Sequence, residues 1–105
     1  MTPFQKDVPR QGSIRAIDGV RRRFVIEDEI ICQQKIVERD SGKYICFQKI
    51  RFDDGRKEYR FTYYMRALKG NVKGRWIFGQ YSLMIPAKQL QFLLREARRR
   101  KWEGI

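Results

Sequence analysis

From Ile30 to Met84 the chain reads as four period-two segments parted by turn sequences, and a single apolar-striped helix follows. Few architectures accept that order. Ile30 to Glu38 alternates as a strand, and Arg39-Asp40-Ser41-Gly42 is turn chemistry. Tyr44 to Phe52 is the next strand, closed by Asp53-Asp54-Gly55, whose glycine suits positive φ. Glu58 to Ala67 is an aromatic-rich third strand. Lys69 to Gly74 reads as a flexible basic loop, and Arg75 to Met84 as a fourth strand. Strands joined by such short turns form an antiparallel meander. Pro86 then opens a helix, where its missing N–H costs nothing, and Leu90, Leu93, Leu94 and Ala97 make one apolar stripe. Arg98 to Lys101 complement the negative end of the helix dipole, and Gly104 is a stop signal.

Ahead of this block, Met1 to Gly12 has two prolines and no apolar period, so it reads as a flexible arm. Ser13 to Ile26 suits a hairpin about Asp18-Gly19, with a short helix over Ile14 to Val20 as the competing reading. The expected fold class is α+β: a curved antiparallel sheet, with an N-terminal hairpin as an optional addition, packed on one C-terminal helix. A chain of 105 residues is one domain, here taken as 13–105.

Charge narrows the function classes. Twenty-four Lys and Arg oppose twelve Asp and Glu, with no histidine, for a net +12. Such a balance attracts polyanions: nucleic acid first, an anionic membrane second. From Arg60 onward, eleven basic residues face only Glu96 and Glu103, whereas Glu27-Asp28-Glu29 and Asp53-Asp54 gather the acids earlier. Cys32 and Cys46 fall on different strands, too few for a zinc site without histidine, and read as buried reduced thiols or as one cross-strand disulfide. Met1 to Gln11 lacks the apolar run of a signal peptide and no segment approaches a membrane span, so a cytoplasmic address is expected.

One helix stripe covers only one face of a four-stranded sheet, so the other must be wet, paired with a second copy, or used for a ligand. Phe61, Tyr63, Met65, Ile77, Leu83 and Ile50 are expected beneath the helix. The opposite face would carry Lys49, Arg51, Arg60, Tyr64, Arg66 and Trp76, with Phe47 and Phe78 nearby and Lys73 and Arg75 at its border. Rings interleaved with cations suit unpaired strands, because each base offers a face for stacking while the cations hold phosphates. The competing explanation is structural: aromatic residues pack well in strands, and alternating arginines solvate an outer face. The runs Arg21-Arg22-Arg23 and Arg98 to Lys101 divide evenly between solvated turns and phosphate contacts.

The order of elements from Ile30 to Trp102, and above all the stretch Lys73 to Tyr81 leading through Pro86 into the helix, resembles single-strand-binding modules of the PC4, Pur and Whirly type. That resemblance implies binding of unpaired DNA or RNA and assembly as a homodimer. It carries no diagnostic motif, and Ser13 to Ile26 lies outside it.

Enzymatic readings are weak. The absence of histidine removes every His-based triad, and Ser13, Ser41 and Ser82 sit in no nucleophile motif. Asp53, Asp54 and Glu58 with Lys57 have the atoms of a metal-dependent nuclease, but turn chemistry explains the first two. Glu27-Asp28-Glu29 more simply balances nearby arginines than holds a cation. No catalytic residue, metal or cofactor is assigned. The main rival is a protein–protein module or accessory subunit whose aromatic face is an apolar interface.

Overall fold

A computed structural model describes residues 7–15, 17–34, 42–66, 75–79 and 82–105. Five strands, β1 (Arg10–Arg15), β2 (Arg21–Gln34), β3 (Lys43–Phe52), β4 (Lys57–Arg66) and β5 (Trp76–Phe78), precede helix α1 (Ala87–Arg99). They pair in chain order, each antiparallel to the next, as one curled sheet with the helix on one face. The expected curved sheet on a single helix is therefore the architecture. The N-terminal hairpin belongs to the same sheet, and β1 begins at Arg10, inside the segment read as an arm.

Local chemistry accounts for the turns. Gly55 takes φ 89°, its N–H donates to the Phe52 carbonyl at 3.0 Å, and the Asp54 carboxylate accepts from the Arg56 N–H at 2.9 Å. Asp54 is thus spent on the hairpin turn. Between β1 and β2 the last cross-strand pair is Arg15–Arg21, so the connection is longer than a two-residue turn. The Asp18 carboxylate accepts from the Val20 N–H there, and Gly19 takes φ 82°. The Arg39–Gly42 turn, apart from Gly42, and the Lys69–Gly74 loop lie outside the described residues. Among the described residues of the fourth expected strand, Arg75 to Met84, Trp76–Phe78 form a strand and Arg75, Gly79 and 82–84 do not.

One residue in β2 decides what faces what. Ile26 pairs with Ile50 but Asp28 pairs with Lys49, so Glu27 is an extra residue on that strand. A bulge of this kind breaks the two-residue alternation. Phe24 and Ile26 consequently lie on the face away from the helix, with Ile50 and Phe52. Ile30 and Cys32, which share their parity, lie on the helix face. There Ile30, Ile45 and Phe47 close a core with Leu93, Ala97 and Trp102.

The helix end locks that core. Lys101 takes φ 60°, the Trp102 N–H donates to the Ala97 carbonyl, and the Lys101 N–H to Arg98, both at 3.0 Å, the paired bonds of a Schellman stop. Trp102 is thereby turned inward to 3% exposure. Its ring stacks on Tyr59 and leans on Phe47, and its Nε1–H donates to Asp28 at 2.9 Å.

The strand parities need one correction. Phe61, Tyr63, Met65 and Ile77 share the helix face as expected, but Lys49, Arg51 and Phe47 share it too, and Ile50 does not. The reason is that β3 is buried on both sides. Ile45 and Phe47 are under the helix, while Cys46, Gln48 and Ile50 are equally covered on the other face. Apolar content therefore cannot distinguish the two sides of this strand.

Candidate functional site

The inner face of the curl, opposite the helix, brings residues of all five strands around a cavity of about 380 Å³. Arg10, Gly12 and Ile14 come from β1, Phe24 and Ile26 from β2, and Gln48 from β3. Arg60 and Tyr64 of β4 and Phe78 of β5 complete it. The first and last strands of the sheet meet the same space because the sheet curls.

A polar chain crosses its floor. Glu29, Gln48 and Arg60 are in register on three adjacent strands. Arg60 Nε donates to Gln48 Oε1 at 2.9 Å, and Gln48 Nε2 donates to the Glu29 carboxylate at 2.6 Å. Arg10 Nη2 reaches both carboxylate oxygens of Glu29 at 3.0 Å. Gln48 is 1% exposed, so its amide is fully committed to this chain and fixes the orientation of both neighbours. An isolated carboxylate at such a depth would be costly; flanked by Arg10 and Gln48 it is accommodated.

Rings flank Arg60. The Arg60 guanidinium lies 5.0 Å from the Phe24 ring centre and 5.6 Å from that of Phe78, so it is flanked by two aromatic faces. Phe78 meets Tyr64 edge-on at 5.4 Å, and Trp76 meets Tyr44 edge-on at 5.1 Å. Burial pulls the Arg60 guanidinium below its ordinary pKa and pushes the Tyr64 phenol above its own. The face thus offers a held cation bracketed by rings, with Arg10 across the cavity.

Of the sequence-derived candidates, Arg60, Tyr64 and Phe78 come together here, and Trp76 shares their face, against Tyr44. Arg66 ends β4 opposite Trp76. Arg75 is exposed immediately before β5, and Lys73 lies outside the described residues. Lys49 and Arg51 are on the other face, Arg51 paired with Glu27 at 3.2 Å. Sequence reasoning missed Arg10, Phe24, Glu29, Tyr44 and Gln48. Arg10 and Phe24 join the site only through the bulge and the curl, and no periodicity in the sequence marks either.

The acidic triplet serves three arginines. Glu27 takes Arg51, Glu29 takes Arg10, and Asp28 takes Arg100 at 2.9 Å. Among the described residues no cluster of His, Cys, Asp and Glu could hold a metal ion. Cys32 and Cys46 are free, and a bridge is excluded by geometry. Cys32 pairs with Ile45 and Cys46 with Ile31, so the two thiols point to opposite faces.

Burial, and next the charge of Glu29, push the Cys46 thiol up to about 12. A raised thiol pKa favours the folded state below the ordinary value and loses that contribution as pH climbs toward the folded one. Wild-type stability should therefore fall between about pH 9 and 12 more steeply than that of Cys46→Ala. Urea midpoints measured across that range check it, and parallel curves would sink the expectation.

Comparison with protein-family models, curated proteins and solved structures finds no match for this chain. No described helix is long and apolar enough to cross a membrane.

Proposed function

We propose that this protein is a non-enzymatic nucleic-acid-binding module that holds unpaired DNA or RNA along the inner face of its curled sheet. One observation carries the reading. Arg60, Tyr64 and Phe78 line the cavity of the helix-free face together with Arg10 and Phe24, and Trp76 shares that face. A strand laid along this face stacks bases on the rings and leaves its phosphates to nearby cations, Arg60 and the exposed Arg75 among them. A net charge of +12 supplies the long-range attraction. Free thiols suit a reducing, cytoplasmic address. Assembly as a homodimer, implied by the resemblance to PC4, Pur and Whirly modules, belongs to the same reading.

The test is a titration of fluorescent single-stranded DNA and RNA at two salt concentrations. Anisotropy and tryptophan emission are followed together, with light scattering to give the stoichiometry. Binding that weakens with salt and quenches tryptophan supports the reading, because Trp76 is half-buried on this face while Trp102 is sealed beneath the helix. Absence of binding at low salt removes it.

A protein partner is the second reading, favoured by exposed apolar side chains on the helix side: Phe61, Ile77, Met84 and Phe92. Its association would be nearly indifferent to salt.

A further inference from the structure

The two basic runs of the sequence have different fates in the fold. At the helix end, Arg99 and Arg100 both pair with Glu96, and Arg100 also holds Asp28, so these two arginines tie the helix to itself and to β2. The run at the start of β2 is used differently. The last β2–β3 pair is Phe24–Phe52, yet β1 and β2 stay paired for three more residues. The hairpin therefore continues past its last pairing with β3 as a two-stranded ribbon, roughly 10 Å long before its turn.

Period two sorts that ribbon. Ser13, Arg15, Arg21 and Arg23 share one face, which continues in register through Val25 to Arg51 and Lys57. Arg15 stands directly opposite Arg21, a like-charge pair that destabilises a hairpin by itself. Among the described residues, neither Arg15, Arg21 nor Arg23 forms an ion pair, and Arg21 donates only to the neutral Ser13 hydroxyl. Asp18 is turned back, accepting from the Val20 N–H and pairing with Arg22. The tip exposes apolar side chains instead: Ile17 fully, and Val20 to 50%. Unopposed cations with an apolar point beyond them complement a grooved polyanion.

We propose that the β1–β2 ribbon is a second nucleic-acid contact, an arm that enters the major groove of a B-form DNA duplex. The groove, about 12 Å wide and about 8.5 Å deep, admits a two-stranded ribbon, and the ribbon's reach matches that depth. Arg15, Arg21 and Arg23 meet backbone phosphates, while Ile17 reaches the base edges, where the thymine methyl is the apolar target. Double-helical RNA is excluded as an equal ligand, because its major groove is too deep and narrow for side chains to read. The arm's cationic face, Arg15, Arg21 and Arg23, is turned away from the Arg60 cavity, although Ile14 on its other face lines that cavity. The arm stands whether or not that cavity binds a single strand, and if both hold, the protein grips a junction between duplex and unpaired DNA.

The test compares the full chain with Arg15→Ser/Arg21→Ser/Arg23→Ser, whose side chains are solvent-exposed, so folding is expected to survive. Circular dichroism verifies this. Tip variant Ile17→Ser is a second probe that leaves every charge in place. Ligands are a DNA duplex, an RNA duplex of the same sequence, a single strand and vesicles rich in anionic lipid. The expected result is wild-type binding to duplex DNA at least tenfold tighter than to duplex RNA. The triple variant should lose tenfold or more on duplex DNA, with a salt slope shallower by about 2 to 3. Its single-strand binding should change less than threefold, and Ile17→Ser should weaken duplex DNA alone. Equal affinity for the two duplexes overturns the arm, as does an equal loss on single strand and duplex. So does capture by vesicles without binding of duplex DNA. Failure of the cavity reading looks different: single-strand binding absent while duplex binding persists.

Discussion

Trp102→Ala is expected to cost about 3–5 kcal/mol, the range for removing a large buried aromatic side chain. The ring is 3% exposed, stacked parallel to Tyr59 at 5.6 Å, and set against Phe47 at 5.0 Å. Removing it opens a void between the helix end and the middle of the sheet, and it takes away one of the donors to Asp28. A domain of this size has about 5–15 kcal/mol in all, so much of its stability would go. At about 4–8 °C per kcal/mol, the melting temperature should fall by roughly 15 °C or more. Trp102→Phe keeps most of the packing and loses the hydrogen bond, so a loss of about 1–2 kcal/mol is expected. Thermal and urea melts followed by circular dichroism measure both. If Trp102→Ala melted within a few degrees of wild type, the helix would have to be held by Leu93 and Ala97 alone.

The second large effect concerns binding. Trp76→Ala should weaken single-strand affinity roughly 5- to 150-fold, from a stacking contribution of about 1–3 kcal/mol per base. Arg60→Ala should weaken it as well and make the salt slope shallower by about 0.7, one phosphate's share for a single strand. Arg60 also carries the Gln48 bond and two ring contacts, so its variant needs a folding check that Trp76→Ala needs less. Lys49→Ala is the internal control. Lys49 lies on the helix face, opposite Tyr59, and its loss should leave single-strand binding unchanged. An affinity more sensitive to Lys49 than to Trp76 and Arg60 would place the strand on the wrong side of the sheet. Tryptophan quenching adds an independent reading, since Trp76 and Trp102 differ so much in exposure.

The two proposed contacts differ in how they can fail. The inner face depends on rings and a few oriented cations, so it should discriminate unpaired from paired bases. The ribbon depends on phosphate charge and groove shape, so it should discriminate B-form from A-form duplex. Salt acts on both, whereas ring removal acts on one.

Much of this molecule can be read from periodicity. The alternation of β3 and β4, the Asp53-Asp54-Gly55 turn, and the stripe Leu90, Leu93, Leu94 and Ala97 are local properties, set by how far apart side chains on one face must lie. They dictate a meander on one helix, and the structure has it. The extent of β5 is less legible, because among the described residues of Arg75 to Met84 only Trp76–Phe78 stay in the ladder. The candidate site was legible in part. Tyr64, Trp76, Phe78 and Arg60 share a face because β4 and β5 keep strict register. Lys49 and Arg51 lie on the helix face and not on the open one expected from the sequence, since β3 is buried on both sides and its parity relative to β4 is a matter of cross-strand register.

What only the tertiary structure decided is the composition of the inner face. The extra residue Glu27 reverses the parity of β2, which sends Phe24 and Ile26 inward while Ile30 and Cys32 meet the helix. The curl of the sheet then brings Arg10, fifty residues from Arg60 along the chain, to the same buried carboxylate chain through Glu29 and Gln48. Sequence fixes which residues alternate and which segments turn, because those depend on neighbours within a few positions. Which faces meet depends on pairing between distant strands, and a single bulge changes that without leaving a mark on local pattern.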